Sequence, residues 1–552
     1  MNGQPSSKRR LLARASTVAI LAAAGQFGVV AEAQAACLSV STPTTIGSDV
    51  ECARVTDATV SGDVVNNATI GEPVDEDNAA AFFVGGSGLI EGQLINNNTI
   101  TGGDGVFGAL TIGNGGSISG GIANAGQILS GSGNAISIGY DTVEGTYSGS
   151  LSGGITNTGT VSGAVNGVAA ISGTMSGGLT NSNDAVISGG NAAVFIADTF
   201  TSWGGGISNS GNILGDEAGI QVGGLTSGLE GVAFSGGIEN YGTVSSLSGP
   251  SIIAGGTSVS GGITNYGTIT QRDGVESAIG ANVGVGILVS AETFNGNIIN
   301  QSSGGIVGRA GDAILITAET ASFNGDIENF GFIGGVADGV HVGSGAFHGN
   351  IRNYNQIVGS NGGGLIISSN VVDGGVEASA EIFNNNRVQG RYTGLGIYGG
   401  DVAANIDNHQ ETDLFAPEAI IEGTSGVGVA IMVDSWTGNI TNSGTIIGQA
   451  SEIGAPAFAQ NLIEGGSGTG IYVVAHTFEG IFTNSGTIQG DAHGVELYIA
   501  PGPGMYCESE CGFVGGSFNG SISNTGTIRG GSTGLAIEAG VIIDDSAFDG
   551  TL

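Results

Sequence analysis

The chain has 552 residues, 48 Asp and Glu against 11 Lys and Arg, a formal net charge of −37, and 109 Gly. A surface this acidic excludes nucleic acid, whose phosphates are bound by Lys and Arg through counterion release, and works against docking on a bare anionic membrane. The glycine content raises the question of disorder, but a hydrophobic fraction of 40%, arranged in repeating columns, answers it, because a disordered chain lacks both.

Residues 1–35 read as a secretory signal peptide. Lys8, Arg9, Arg10 and Arg14 precede the apolar run Val18-Ala19-Ile20-Leu21-Ala22-Ala23-Ala24, and Ala33-Gln34-Ala35 is an A-x-A cleavage signal. The run is shorter than the roughly 20 residues of a membrane span, and Gln34-Ala35-Ala36 before Cys37 does not match the Leu-led motif of lipidated proteins. Removal of the signal leaves seven Arg and no Lys. Residues 36–60 are expected to form an N-terminal cap segment. They contain Cys37 and Cys52, and Cys507 with Cys511 makes a second local pair; in an exported protein this predicts two disulfides. The spacing Cys507-Glu508-Ser509-Glu510-Cys511 is C-x-x-x-C, not the C-x-x-C of redox and zinc motifs.

Residues 61–552 are a repeat. One phrase returns at about every 30 residues: a large apolar residue, then Gly at the second position after it, Ile at the fourth and Asn at the sixth, then Gly-Thr-Ile. It reads Trp436-Thr437-Gly438-Asn439-Ile440-Thr441-Asn442-Ser443-Gly444-Thr445-Ile446, and again Phe518-Asn519-Gly520-Ser521-Ile522-Ser523-Asn524-Thr525-Gly526-Thr527-Ile528. Its Asn falls at Asn67, Asn97, Asn124, Asn157, Asn181, Asn209, Asn240, Asn265, Asn300, Asn329, Asn353, Asn384, Asn408, Asn442, Asn484 and Asn524. Six residues earlier stand Leu151, Met175, Trp203, Phe234, Val259, Phe294, Phe323, Phe347, Trp436, Phe478 and Phe518. Apolar residues at alternate positions mark a strand with one buried face. Gly-Thr-Ile opens a second strand, and stretches such as Val495-Glu496-Leu497-Tyr498-Ile499 supply a third. Three short strands per period predict an all-β fold, a right-handed parallel β-helix. Its Asn and its aromatic residues should stack into ladders, as identical side chains do in cross-β packing. About 16 coils at ~4.8 Å give a rod of roughly 75 Å.

Catalytic, cofactor-binding and metal-ligating residues are not expected. His341, His348, His409, His476 and His493 show no paired ligand spacing and read as surface positions. Gly530-Gly531-Ser532-Thr533-Gly534 and Gly103-Asp104-Gly105-Val106-Phe107-Gly108 match G-x-S-x-G and G-x-G-x-x-G, but neither runs from strand into helix as its mechanism requires. Gly423-Thr424-Ser425-Gly426 is similar to the nucleophile segment of subtilisin-like proteases, without the aspartate and histidine segments that would complete it. The acidic surface offers Ca²⁺ its preferred oxygens, yet no EF-hand loop or nonapeptide repeat is present. Insertions at residues 451–466 and 501–516 lengthen two coils. Loops on a rigid scaffold often carry recognition, which makes these the expected contact surfaces.

A signal peptide followed by Gly/Asn/Thr-rich coils, with Ile-Thr-Asn-Ser-Gly-Thr-Ile at 440–446, Thr-Asn-Ser-Gly-Thr-Ile at 483–488 and Ile-Ser-Asn-Thr-Gly-Thr-Ile at 522–528, resembles the passenger region of type V secreted autotransporters of Gram-negative bacteria. The resemblance implies export through the periplasm to the cell surface, outer membrane or medium. It also implies an outer-membrane translocator barrel as partner, expected in the same polypeptide. The role it implies is adhesive, self-associating or structural rather than enzymatic, with a surface, a glycan or a second copy as ligand. The amphipathic strands of such a barrel are not in this sequence. Ser546-Ala547-Phe548-Asp549-Gly550-Thr551-Leu552 matches the opening of another repeat, so a longer product is expected. The alternatives are a β-helical carbohydrate-active enzyme, for which carboxylates would have to cluster with Arg, Lys or His on one coil face, and a two-partner secretion exoprotein, for which N-P-N-L or N-P-N-G-I is missing.

Overall fold

The computed structural model describes residues 37–71, 80–102, 107–142, 145–224, 232–272, 284–375, 379–413, 416–450, 468–499, 516–539 and 548–551. Residues 36–552 form one compact unit, and among the described residues there is no helix. The fold is an all-β solenoid of stacked parallel strands. One coil shows how it is built. Phe200–Trp203, Ile207–Asn209, Asn212–Gly215 and Ala218–Val222 follow one another in sequence. Each pairs in parallel with its counterpart in the next coil: Trp203 opposite Phe234, Asn209 opposite Asn240, Ile213 opposite Val244, Ile220 opposite Ile252. The Gly-Thr-Ile strands make a sheet of their own, 16 strands long, from Thr69–Ile70 to Thr527–Gly530.

Because side chains alternate across a strand, each coil sends a fixed set inward. Trp203, Phe234, Phe294, Phe323, Phe347, Trp436 and Phe478 are all 2% exposed or less, and Phe518 is 5% exposed. Several of the rings stack on that of the next coil: Phe294 on Phe323 at 4.9 Å and 6°, Phe323 on Phe347 at 5.6 Å and 20°, Phe478 on Phe518 at 5.3 Å and 6°. Trp436 and Phe478 lie 6.5 Å apart. Ile118, Leu151, Met175 and Val259 occupy the same column in other coils.

The Asn column is buried too, and it is a continuous side-chain ladder. The Nδ2 of each Asn donates to the Oδ1 of the Asn one coil later: Asn209 to Asn240, Asn240 to Asn265, Asn265 to Asn300, Asn300 to Asn329 and Asn329 to Asn353, all at 2.8–2.9 Å. The run continues through Asn384 and Asn408 to Asn442, Asn484 and Asn524. The second N–H of each amide goes to backbone carbonyls at the bend, as from Asn240 to Gly242 and Thr268. A buried amide is costly unless its donors and acceptor are satisfied, and here they are.

The structure corrects three details. The first two ladder members are Asn66 and Asn96, not Asn67 and Asn97; in these runs of Asn the neighbours Asn67 and Asn97 are exposed and bond to each other instead. The aromatic column in the coil of Asn384 is filled by Val372, twelve residues before its Asn, because that coil is longer. Coils up to Gly390 have four strands rather than three, since Gly bends the chain between the aromatic strand and the Asn strand. Gly205 and Gly206 have φ of 77° and 68° there, values that a side chain resists. Beyond Gly390 the two strands fuse in several coils, as in Thr393–Asn408 and Ile471–Asn484.

Candidate functional site

Cys37 and Cys52 are joined by a disulfide. Cys507, Cys511 and the insertion 451–466 lie outside the described residues, as does the insertion 501–516 except for its last residue. The ladder residues face the interior and offer a ligand nothing. Function has to be sought on the outward positions.

The exposed aromatic residues at the bend after the ladder Asn are one such set. Tyr241 and Tyr266 stack at 4.5 Å and 7°, and Phe330 and Tyr354 at 4.7 Å and 4°. Rings this close and parallel cover one another's faces, leaving their edges to solvent. The stripe is thus an outer copy of the core ladder, not a flat platform.

A groove of about 660 Å³ is different. It opens on the outer face of four successive coils and is walled by Val336, Ile366, Tyr392 and Tyr398, with Asp338 and His341 among its lining groups. The outward column that crosses it reads Ile253, Leu288, Leu315, His341, Ile366, Gly396. His341 is therefore the one ionisable group in a run of apolar ones. Space comes from glycine: a Cβ on Gly396 would meet Tyr398 and Ile366 within 2.8 Å, and one on Gly363 would overlap the end of Ile366.

At the groove Asp312, Asp338 and His341 converge. His341 Nδ1 lies 3.2 Å from Asp338 Oδ2 and 4.0 Å from Asp312 Oδ2, while its Nε2 is held by Ser368 Oγ at 2.9 Å. Each carboxylate is also fixed by the next coil: Asp312 Oδ1 accepts the Asp338 N–H at 2.8 Å, and Asp338 Oδ1 accepts the Gly363 N–H at 2.5 Å. Their side chains are 11% and 18% exposed, and that of His341 is 31% exposed. Burial, with the Asp338 charge beside it, pushes the Asp312 carboxyl up to about 6, against the pull of the Asp338 N–H and of His341. Burial alone would lower His341; the hydrogen bond and charge of Asp338 and the charge of Asp312 outweigh it and raise the imidazole. Burial also raises the Tyr398 phenol, the Asp338 charge adding to it and a hydrogen bond with Thr393 opposing it. Two carboxylates beside an imidazole can trade protons or hold a cation.

Sequence reasoning missed this cluster and placed His341 among plain surface residues. The signal is positional: Gly311-Asp312-Ala313-Ile314 and Ala337-Asp338-Gly339-Val340 put Asp at the same place in consecutive coils, which emerges only when Ile314 is aligned with Val340. Compared with family models, with curated proteins and with solved structures, the chain finds no match. Fold and groove carry the functional reading by themselves.

Proposed function

We propose that the chain is the exported passenger of an autotransporter, a right-handed β-helix displayed at the cell surface or released outside it, with an adhesive, self-associating or structural role. The right-handed sense follows the rule for crossovers between parallel strands. The observation that supports the role is the unbroken ladder from Asn66 to Asn524. It makes each coil a self-satisfied unit resting on its neighbours, so the scaffold is stiff and its outward residues are free to serve recognition. The signal peptide read in residues 1–35 would send the chain to the periplasm. The translocator barrel expected in the same polypeptide would carry it further.

Expression of the complete reading frame in a Gram-negative host, followed by protease treatment of intact cells, tests this. Digestion of the chain with a periplasmic marker spared is the expected result, together with cell aggregation or retention on a glycan surface. A chain protected until the outer membrane is opened would overturn it.

The second reading, a β-helical carbohydrate-active enzyme, is favoured by one observation: Asp312 and Asp338 meet His341 at a groove large enough for a small ligand. Release of reducing ends from a polysaccharide, lost in Asp338→Asn, would put it ahead of adhesion.

A further inference from the structure

The geometry points to a divalent transition-metal site of the zinc class, formed by His341 Nδ1 and one oxygen each of Asp312 and Asp338, with its open coordination position facing the groove. It stands apart from the question of export. The three donor atoms lie within 4.8 Å of one another, a spread that one small ion can draw together. They come from a chain segment of 30 residues but from two adjacent coils, and each is held from behind. Ser368 Oγ on His341 Nε2 fixes the ring so that Nδ1 faces the carboxylates, the arrangement by which an outer hydrogen bond sets the tautomer of a metal-binding histidine. The backbone N–H of Asp338 and that of Gly363 hold the inner oxygens of Asp312 and Asp338, leaving the outer oxygen of each for an ion.

The donor set selects among cations. Ca²⁺ takes six to eight oxygens, and this site has two carboxylates and a nitrogen. An imidazole with carboxylates suits Zn²⁺ and its neighbours, and three protein ligands with a fourth position left open is the pattern of a zinc ion that also binds water or a ligand atom. The cavity supplies what would fill that position. Its walls of Val336, Ile366, Tyr392 and Tyr398 suit a molecule with an apolar body that presents one oxygen or nitrogen donor to the ion. Among the described residues no other group of acidic and His side chains has this form. Around Arg352, Asp326, Glu328 and Glu381 lie within 3.2 Å of its guanidinium, so that cluster already has its cation.

The test is calorimetric titration of the chelator-treated full chain with ZnCl₂, repeated with CaCl₂. One saturable Zn²⁺ site per chain is expected, weakened roughly 100-fold in His341→Gln and about tenfold in Ser368→Ala, the loss typical of an outer partner, and unchanged in Asp326→Asn. Co²⁺ in place of Zn²⁺ should give a visible absorption band that His341→Gln abolishes. Circular dichroism and melting of each variant separate lost ligation from lost folding, and His341→Gln, on an outward position, should melt as the parent does. Absence of saturable Zn²⁺ binding would overturn the assignment. So would binding that survives both His341→Gln and Asp338→Asn, or a preference for Ca²⁺ that does not depend on His341, since either would place the ion on the general acidic surface.

Discussion

Coils around residues 200–270 and coils beyond residue 390 share one core and differ in their outline. In the first set two glycines stand between the aromatic strand and the Asn strand, Gly205-Gly206, Gly236-Gly237 and Gly261-Gly262, all with positive φ. They stack on one another so tightly that a Cβ on Gly206 would lie 2.4 Å from the Gly236 carbonyl oxygen. In the second set the later of the two positions is Asn405, Asn439, Ile481 or Ser521. The bend opens and, around Ile481 and Ser521, the strand runs straight through, as in Ile471–Asn484 and Ser517–Asn524. The difference teaches that the inward residues fix the stack, while the corner can change its outline without disturbing it.

Three experiments probe that division. The largest effect should be common to both sets: Phe234→Asp and Phe478→Asp each bury a charge without a partner, and each should cost about 3–5 kcal/mol or prevent folding. If thermal unfolding of either is unchanged, the column is not a core there. Next come Asn240→Ala and Asn442→Ala, again one in each set. Each breaks two ladder bonds and strands the neighbours on both sides, for about 2–3 kcal/mol; unequal losses in chemical denaturation would mean that the ladder is not one uniform element. The corner should then separate the sets. Gly206→Ala forces a side chain into a left-handed backbone against a carbonyl and should cost about 2 kcal/mol, whereas Ile481→Ala, at the matching position and 48% exposed, should cost about 0.5 kcal/mol or less. Equal melting temperatures for these two would remove the distinction.

The groove coils between the sets give a pH effect. The metal-free folded chain holds the Asp312 proton at about 6 against 3.8 for the free group, so the folded state binds that proton more tightly. The contribution to stability is full below pH 3.8 and is lost as pH rises through about 6, up to about 3 kcal/mol before solvent and coupling reduce it. Stability curves across that window should flatten in Asp312→Asn, which keeps the acceptor for the Asp338 N–H; an identical slope in the variant would refute the assignment.

The ladder was legible in the sequence from Asn124 onward because each coil must present the same residue at the same bend, and a column of identical needs leaves a column of identical letters. It failed at Asn66 and Asn96, where adjacent Asn residues made the phase ambiguous, and at Val372, where extra residues broke the count back from Asn384. The fourth strand was hidden because Gly fits both an extended and a left-handed backbone. The Asp312, Asp338 and His341 cluster was hidden for another reason. Asp338 and His341 stand three residues apart, but Asp312 lies one coil earlier, so no local spacing contains all three. The same gap covered Ile366, Gly396 and Tyr398, whose meeting depends on which coil lies above which.

The Asn column repeats one symbol from Asn66 to Asn524, so it sets the spacing of the coils and carries no record of their order. Beside it, the column that reads Leu151, Met175, Trp203, Phe234, Val259, Phe294 changes volume at every step. If a coil were skipped during assembly, every amide would still find a partner, but Trp203 would be set against Val259 in place of Phe234, and the mismatch would propagate as voids and overlaps. The polar ladder works as a ruler, and the apolar one as a page number.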